Sequence, residues 1–360
     1  MEVKLSLRWQ LGRQQSEALE PLVFDLLTRI ERGLSLRRAA LEAGVSYRHA
    51  WGQMREWEQR LGAALIHLER GKPASLSPLG RSLLWAKRRA DARLTPALDS
   101  VAAEVGHELS TLLVDSRPVR LVASHDLALE QVREPLADAI GRPLNVQYRG
   151  SMDAVRQLAA GRCDLAGYHI PDIADRSHIE AAFAEALPVD KYCSVCFVGR
   201  SQGLILPPGN PTGLTSLKDL TRPSVRFLNR QSGSGTRLLF DALLDQASVP
   251  RQAINGYYSE EFTHLAVAAM VASGAADAGF GIQAAAEKFG LAFVPMVTEH
   301  YLFAFRARDA NSDWVRQLLD VLRPDAQLGQ TIACLPGYDC SCMGDSWPFG
   351  HGRGARQAGR

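Results

Sequence analysis

Long apolar runs are missing from this 360-residue chain. Although 46% of its residues are hydrophobic, none of its runs approaches the ~18 consecutive apolar residues of a membrane-spanning helix. Its first residues, Met1-Glu-Val-Lys-Leu-Ser-Leu-Arg-Trp9, lack the apolar core and small-residue cleavage site of a secretory leader. A cytoplasmic protein with no membrane partner is expected. Cysteine is scarce: six residues are too few for a disulfide framework. Cys193 and Cys196 form a Cys-x-x-Cys, and Cys334, Cys340 and Cys342 gather near the C-terminus. No second Cys-x-x-Cys or His pair follows at zinc spacing, and the stretch from Asp190 to Val198 reads as a buried strand in which Cys acts as a small hydrophobe. No metal and no cofactor are expected. Both phosphate-binding glycine patterns, Gly-x-x-x-x-Gly-Lys-Ser/Thr and Gly-x-Gly-x-x-Gly, are absent, as are a nucleophile elbow and metal-hydrolase motifs. Ser124-His125-Asp126 has the letters of a hydrolytic triad, but such geometry needs separate elements converging, which adjacent residues cannot supply. The chain does not read as an enzyme.

What is present divides in two. Residues 1–106 hold 17 Lys/Arg against 12 Asp/Glu, and the remainder 24 against 27. A basic module joined to a slightly acidic one suits nucleic-acid binding at one end only. Apolar residues from Leu19 to Ile30 recur at a helical period, and Gly33 follows. Ser35 caps a short Ala-rich helix, Leu36 to Ala43, closed by Gly44. Ser46 caps a longer helix from Tyr47 to Leu61, ending at Gly62. Short helix, tight turn and capped helix make a helix-turn-helix signature, with Ala39 and Ala40 small where helices cross. Strands near Ala64–Glu69 and Ser75–Ser77, joined by Arg70-Gly-Lys-Pro73, read as a wing. A long helix from about Leu79 to Glu104 follows, which Pro96 should kink or divide.

Residues 19–85 resemble the N-terminal domain of ModE, a molybdate-responsive regulator related to LysR-type winged helices. The resemblance rests on Ser35-Leu-Arg-Arg-Ala-Ala-Leu-Glu-Ala-Gly-Val-Ser-Tyr-Arg-His-Ala-Trp51 and Leu76-Ser-Pro-Leu-Gly-Arg81. It implies a homodimer, or a higher oligomer, on a palindromic operator in double-stranded DNA. The wing departs from that family in having a shorter turn. Ser46, Tyr47 and Arg48 open the second helix of the motif, where side chains reach base edges. Arg48 either pairs with a guanine or binds phosphate. Ser35, Arg37, Arg38, Arg70 and Lys72 suit backbone contacts. Trp51 and Trp57 are assigned to the core.

From Val119 strands and helices alternate, giving α/β architecture with largely parallel sheets and ligands at the carboxyl ends of strands. Those ends carry Ala123-Ser-His-Asp126, Arg149-Gly-Ser-Met152, Gly167-Tyr-His169 and Asn229-Arg-Gln-Ser-Gly-Ser-Gly-Thr-Arg237. Several are strand-to-helix turns of the kind that cradles anions. The Ser-Gly-Thr turn with Arg230 ahead of it resembles the site of phosphate- and tungstate-binding proteins. Residues 118–345 as a whole resemble the two-lobed type 2 periplasmic-binding-protein-like domain found fused to ModE-type modules. The implied organisation is 1–78 winged helix-turn-helix; 79–115 connector and dimerisation helix; and 116–345 sensing domain. Within the last, lobe one is 118–197 and 300–345 and lobe two is 198–299, leaving 346–360 as a disordered tail. A small-molecule effector is expected at Ser124, His125, Gly150, Ser151, His169, Arg230, Ser234, Gly235, Thr236 and Tyr301. An oxyanion such as molybdate or tungstate fits these donors. Asp126 and Glu299 would oppose a dianion unless one begins its helix and the other pairs with Arg; a cationic, zwitterionic or larger organic ligand is the alternative.

Overall fold

The structure, a computed structural model, describes residues 3–11, 17–68, 73–112, 118–173 and 176–347. They form two compact units: Ser6–Thr95, and Pro96 onward together with Met1–Leu5.

In the first unit a small antiparallel hairpin, β1 (Trp9–Leu11) and β2 (Glu17–Leu19), precedes α1 (Pro21–Glu31), α2 (Leu36–Glu42) and α3 (Tyr47–Leu61). The capping read from sequence is present: Ser35 Oγ accepts from Arg38 N at 3.3 Å and Ser46 Oγ from His49 N at 3.1 Å. Gly62 ends α3 at φ 70°, a left-handed conformation that glycine enters at little steric cost. Ala39 and Ala40 are fully buried where α2 meets its neighbours, and Val23, Leu27, Met54 and Trp57 fill the core around them. Then β3 (Ile66–His67) and β4 (Ser75–Leu76) pair antiparallel, a winged-helix arrangement. The expected wing tip with Arg70 and Lys72 lies outside the described residues. Trp51 departs from expectation. Its ring is 42% exposed with the Arg55 guanidinium 5.4 Å above it, because position 51 falls on the polar face of α3 rather than on the face of Met54 and Trp57.

The next helix, α4, runs unbroken from Pro78 to Leu112, so Pro96 does not divide it. Proline removes one backbone bond, but contacts on either side hold the helix. Leu83 and Leu84 join the first unit's core. Beyond Pro96, in the second unit, Ser100 Oγ accepts from Tyr148 N (3.0 Å), the Ala103 carbonyl accepts from Asn145 Nδ2 (2.6 Å), and Glu104 pairs with Arg149 (3.0 Å). The compact units therefore divide at Pro96, rather than at the ends of a separate connector 79–115 as read from sequence.

The second unit is α/β. Its elements are β5 (Val119–Ala123), α5 (Leu127–Ala139), β6 (Leu144–Tyr148), α6 (Ser151–Ala159), β7 (Leu165–Pro171), α7 (Ser177–Ala186) and β8 (Tyr192–Leu206). After these come β9 (Phe227–Arg230), α8 (Gly235–Gln246), β10 (Glu260–Glu261), α9 (His264–Ala272), β11 (Ala278–Ile282), α10 (Gln283–Lys288) and β12 (Ala292–Arg306). The last are α11 (Asp313–Val321), α12 (Gln327–Ala333) and β13 (Tyr338–Asp339). The sheet order is β10-β9-β11-β8-β12-β7-β5-β6, with β13 also on β8. Parallel pairing is confined to the outer strands β5, β6, β7 and β9, β10, β11. The centre corrects the expectation of largely parallel sheets: β8 and β12, 15 residues each, run antiparallel to one another and to their neighbours. Their outer halves belong to different lobes, with separate cores around Phe197 and Phe303 and around Phe227, Phe240 and Phe280. The boundaries expected at 197/198 and 299/300 fall inside these strands. Ser346 and Trp347, assigned to a disordered tail, are ordered: Trp347 N donates to the Ser194 carbonyl at 2.8 Å. Residues 348–360 lie outside the described residues.

Where the long strands cross, Gly203 of β8 faces Pro295 of β12, and a Cβ there would lie 2.0 Å from the Val294 carbonyl oxygen. Backbone cannot move aside as a side chain can. Gly203→Ala should cost about 1–3 kcal/mol, the range of overpacked cores, measured by urea unfolding; a variant as stable as the parent would contradict this contact.

Candidate functional site

The strand ends of both lobes converge on a buried polar cluster. Asp126 follows β5 and caps α5, its Oδ1 accepting from Ala128 N (2.7 Å) and Leu129 N (3.2 Å). Its second oxygen accepts from Arg200 Nη1 (2.5 Å) and from the Tyr338 hydroxyl (3.0 Å). Arg200 also donates to Glu299, its partner across the β8–β12 ladder. All three are at most 3% exposed. One guanidinium thus bridges two carboxylates, offsetting one of their two charges and holding both below their ordinary ranges against the opposing effect of burial. Burial alone would depress Arg200, but its two acidic partners win and raise it.

Around this cluster stand three histidines. His169 stacks on Tyr301, ring centroids 4.1 Å apart and 10° from parallel. Its Nε2 is 3.9 Å from Asp126, beyond hydrogen-bonding reach. His264 begins α9, with Nε2 3.5 Å from Thr236 Oγ1. His125 packs edge-on to Tyr148 at 4.9 Å. Burial and nearby guanidinium groups lower all three, His125 to about 4, so at neutral pH they are uncharged. Gly167 makes room for this packing, since a Cβ there would meet the Tyr301 hydroxyl at 2.5 Å.

Arg230 ends β9. Its Nη2 donates to the Phe262 carbonyl (2.9 Å), while Nε and Nη1 are buried with no partner. Desolvation, with Arg200 adding to it, brings this guanidinium down to about 9. Nine buried side-chain polar atoms among the described residues lack a partner; seven belong to His169, Gln202, Arg230, Gln231 and His264. Buried polar groups are rarely left unpaired, so their concentration here makes this cluster the candidate site. Two helix N-termini lie at the same place. A Cβ on Gly235, first residue of α8, would sit 3.9 Å from Ser151 Oγ, first residue of α6. Gly150 caps α6 without a side-chain bond.

The expected effector residues are therefore brought together, but several have duties of their own. Ser124 N donates to the Gly167 carbonyl (3.0 Å), and its own carbonyl accepts from the Tyr301 hydroxyl (2.9 Å), so only the Ser124 hydroxyl stays available and Tyr301 acts as a wall. Ser151 Oγ accepts from His169 N (3.2 Å), and Ser234 Oγ caps α8 by accepting from Arg237 N (3.2 Å). Arg237 braces the turn by donating to the Arg230 carbonyl (3.2 Å) and to Glu260 (3.0 Å). Arg200, Gln202 and Tyr338 are in the cluster although sequence reasoning did not place them there. Arg200 gains its meaning only from the cross-strand register with Glu299. The Ser-His-Asp letters form no relay: Asp126 is spent on Arg200, Tyr338 and its helix, and His125 lies 3.8 Å from Glu130.

On the first unit, Ser46, Tyr47, Arg48 and His49 are exposed at the start of α3, and Ser46, Arg48, His49, Gly52, Gln53 and Glu56 line one shallow face. Arg37 is exposed, and Arg38 pairs with Glu42 at 3.1 Å. Ser35 is occupied as the α2 cap.

A family model described as PBP superfamily domain matches residues 134–323, over half of the chain. The chain belongs to the PBP superfamily. YvgK of Bacillus subtilis (strain 168) is 30% identical over 243 residues, which cover 68% of this chain and 78% of that protein. A Clostridium pasteurianum protein from the 5′ region of a 2Fe-2S ferredoxin gene is 32% identical over 112 residues, 30% of this chain and 95% of that one. The family description and these two names specify no effector. Among solved structures, full-length BenM shows 16% identity and a TM-score of 0.42, covering 87% of this chain and 97% of its own. Full-length LysG from Corynebacterium glutamicum shows 16% and 0.39, covering 84% and 97%. Superpositions this loose add nothing to the PBP assignment, which rests on the sequence match and on the two-lobed topology above.

The lowered histidines have a pH consequence. Unfolded His125 takes up a proton near its ordinary 6.5, folded His125 only near 4. Stability from this group is complete above 6.5 and lost as pH falls towards 4, because the unfolded chain binds more protons in that window. At about 1.4 kcal/mol per unit, its share is at most a few kcal/mol. His125→Gln should flatten the decline of melting temperature between pH 6.5 and 4; an unchanged slope would assign the decline elsewhere.

Proposed function

We propose that this chain is a cytoplasmic DNA-binding transcription regulator whose PBP domain senses a small oxyanion of the molybdate or tungstate class. The observation that carries the effector reading is Arg230: a buried guanidinium with two unpartnered donors beside two helix N-termini. A buried unpaired charge costs several kcal/mol, and a bound anion would recover that cost while accepting from backbone N–H groups at both helix starts. The carboxylates that would repel a dianion both bond to Arg200, which offsets one of their two charges. The resemblance of residues 19–85 to ModE supports the same class. A zwitterionic or other organic effector is the second reading, favoured by unpartnered acceptors, Gln202 Oε1 and Gln231 Oε1, which a fully deprotonated oxyanion cannot serve.

The DNA reading rests on the exposed start of α3, with Tyr47 and Arg48 for base edges, and on Arg37, Arg38, Arg70 and Lys72 for phosphates. In a homodimer two such helices would address half-sites about one helical turn, ~34 Å, apart. Closure of the lobes on the effector would act through α4, whose C-terminal half is bonded to β6 and the loop after it. Closure is driven only by the effector's preference for the closed state.

Thermal unfolding against molybdate, tungstate, sulfate, phosphate and a panel of small organic compounds tests the effector. At 100 times its dissociation constant a ligand adds ~2.7 kcal/mol to the state it binds. A shift with molybdate or tungstate that disappears in Arg230→Met is expected. A shift with organic compounds alone would replace the oxyanion reading, and an undiminished shift in the variant would remove Arg230 from the site. Selection from a random duplex pool tests the other half: Arg48→Ala should lose roughly 1–3 kcal/mol of discrimination at one base pair of each half-site while keeping its response to the effector. An equal loss on all sequences would make Arg48 a phosphate contact.

A further inference from the structure

On the face of β12 opposite the cleft, a second group of side chains meets. Successive strand residues alternate faces, so Glu299 and Tyr301 point to the cleft and His300 away from it. There His300 Nδ1 lies 3.7 Å from Cys342 Sγ, and Cys342 is joined by a disulfide to Cys196 of β8, Cα atoms 5.8 Å apart and 146 residues distant in sequence. The three ligand atoms all lie within 4.8 Å of one another, the one such group of His, Cys, Asp or Glu among the described residues.

We propose that, with the Cys196–Cys342 bond reduced, Cys196 Sγ, Cys342 Sγ and His300 Nδ1 bind one zinc-class divalent ion. The chemistry is balanced by a dithiol reductant. Its two S–H groups pass two electrons and two protons to the disulfide, leaving two cysteine thiols and an oxidised cyclic reductant. The ion then displaces both thiol protons to the buffer, and its charge is cancelled by two thiolates. With Zn–S near 2.3 Å and Zn–N near 2.0 Å, tetrahedral geometry sets sulfur and nitrogen ~3.5 Å apart, close to the separation present. Once unbonded, the two sulfurs reach a similar spacing by side-chain rotation. The scaffold is held independently of the disulfide. Gly344 N donates to the Cys196 carbonyl, Cys196 N to the Asp345 carbonyl and Trp347 N to the Ser194 carbonyl, each at 2.8 Å. His300 packs on Trp347 at 4.8 Å, over which Arg176 lies at 5.7 Å. Three protein donors, with Cys342 and His300 partly exposed, leave a fourth position for water, the pattern of zinc sites that keep an open coordination position.

The full-length protein, reduced with dithiothreitol, freed of the reductant and stripped of metal, is titrated anaerobically with Co(II) and then with Zn(II). Expected is one equivalent of Co(II) with thiolate charge-transfer absorption and tetrahedral d–d bands, displaced by one equivalent of Zn(II). Cys342→Ser should abolish the charge-transfer signature or weaken binding at least about a hundredfold, and His300→Ala should weaken it at least about tenfold. Cys193→Ser and Cys334→Ser should leave it unchanged. Circular dichroism checks that each variant is folded, and Cys196→Ser is a second test of the same site if Cys342→Ser is not. A disulfide that stays intact in the folded protein under dithiothreitol, a reduced protein that takes up no Co(II), or uptake indifferent to His300→Ala would each overturn the proposal.

Discussion

The buried bridge of Arg200 to Asp126 and Glu299 holds the second unit's elements in register. One guanidinium ties the cap of α5 in lobe one to both crossing strands, and Tyr338 adds β13 to the same carboxylate. Removing one member of such a cluster leaves a desolvated charge without compensation, which costs about 3–5 kcal/mol. That asymmetry acts together with apolar packing to fix the pairing of β8 with β12, since a one-residue slip would both break the bridge and turn every side chain to the other face. It also shapes the electrostatics of the cleft: one guanidinium and two carboxylates leave a net charge of −1 in the cluster, and the unpartnered cationic donors beside it are those of Arg230.

The cleft is accordingly unbalanced by design of the fold. The first unit spends its polar side chains locally, on caps at Ser35 and Ser46 and on ion pairs such as Arg38 with Glu42. Between the lobes the opposite holds, and unpartnered donors and acceptors are concentrated where two helix N-termini approach. A ligand with matching groups would close a set of bonds that the chain cannot close by itself. The same strands carry the second, sulfur-containing cluster of Cys196, Cys342 and His300 on their reverse face.

Continuity between the units lies in α4. Its N-terminal half is an integral part of the winged-helix core through Leu83 and Leu84, and its C-terminal half satisfies backbone and side-chain groups of β6 and the residue after it. A helix shared in this way needs no separate connector domain, and Pro96 marks a change of partners instead of a break.

Local chemistry was legible in the sequence. Serine caps, a left-handed glycine after α3, the periodicity of α1 to α3 and the alternation of strands and helices each depend on residues within a turn or two of one another. The placing of Arg230, Ser151 and Thr236 at strand-to-helix turns was legible for the same reason. The exposure of Trp51 was not, because one helix can place tryptophans on two faces. Pairings that join distant segments were decided by tertiary structure alone: Arg200 with Glu299 through antiparallel register, Tyr338 with Asp126, and Cys196 with Cys342 and His300 across 146 residues. Nothing in local spacing encodes such contacts. They arise because two 15-residue strands pair across the sheet, with register shifts at Pro295/Val297 and Tyr301/Leu302, and that pairing is set jointly by the Arg200 bridge and by burying hydrophobic faces in both lobes.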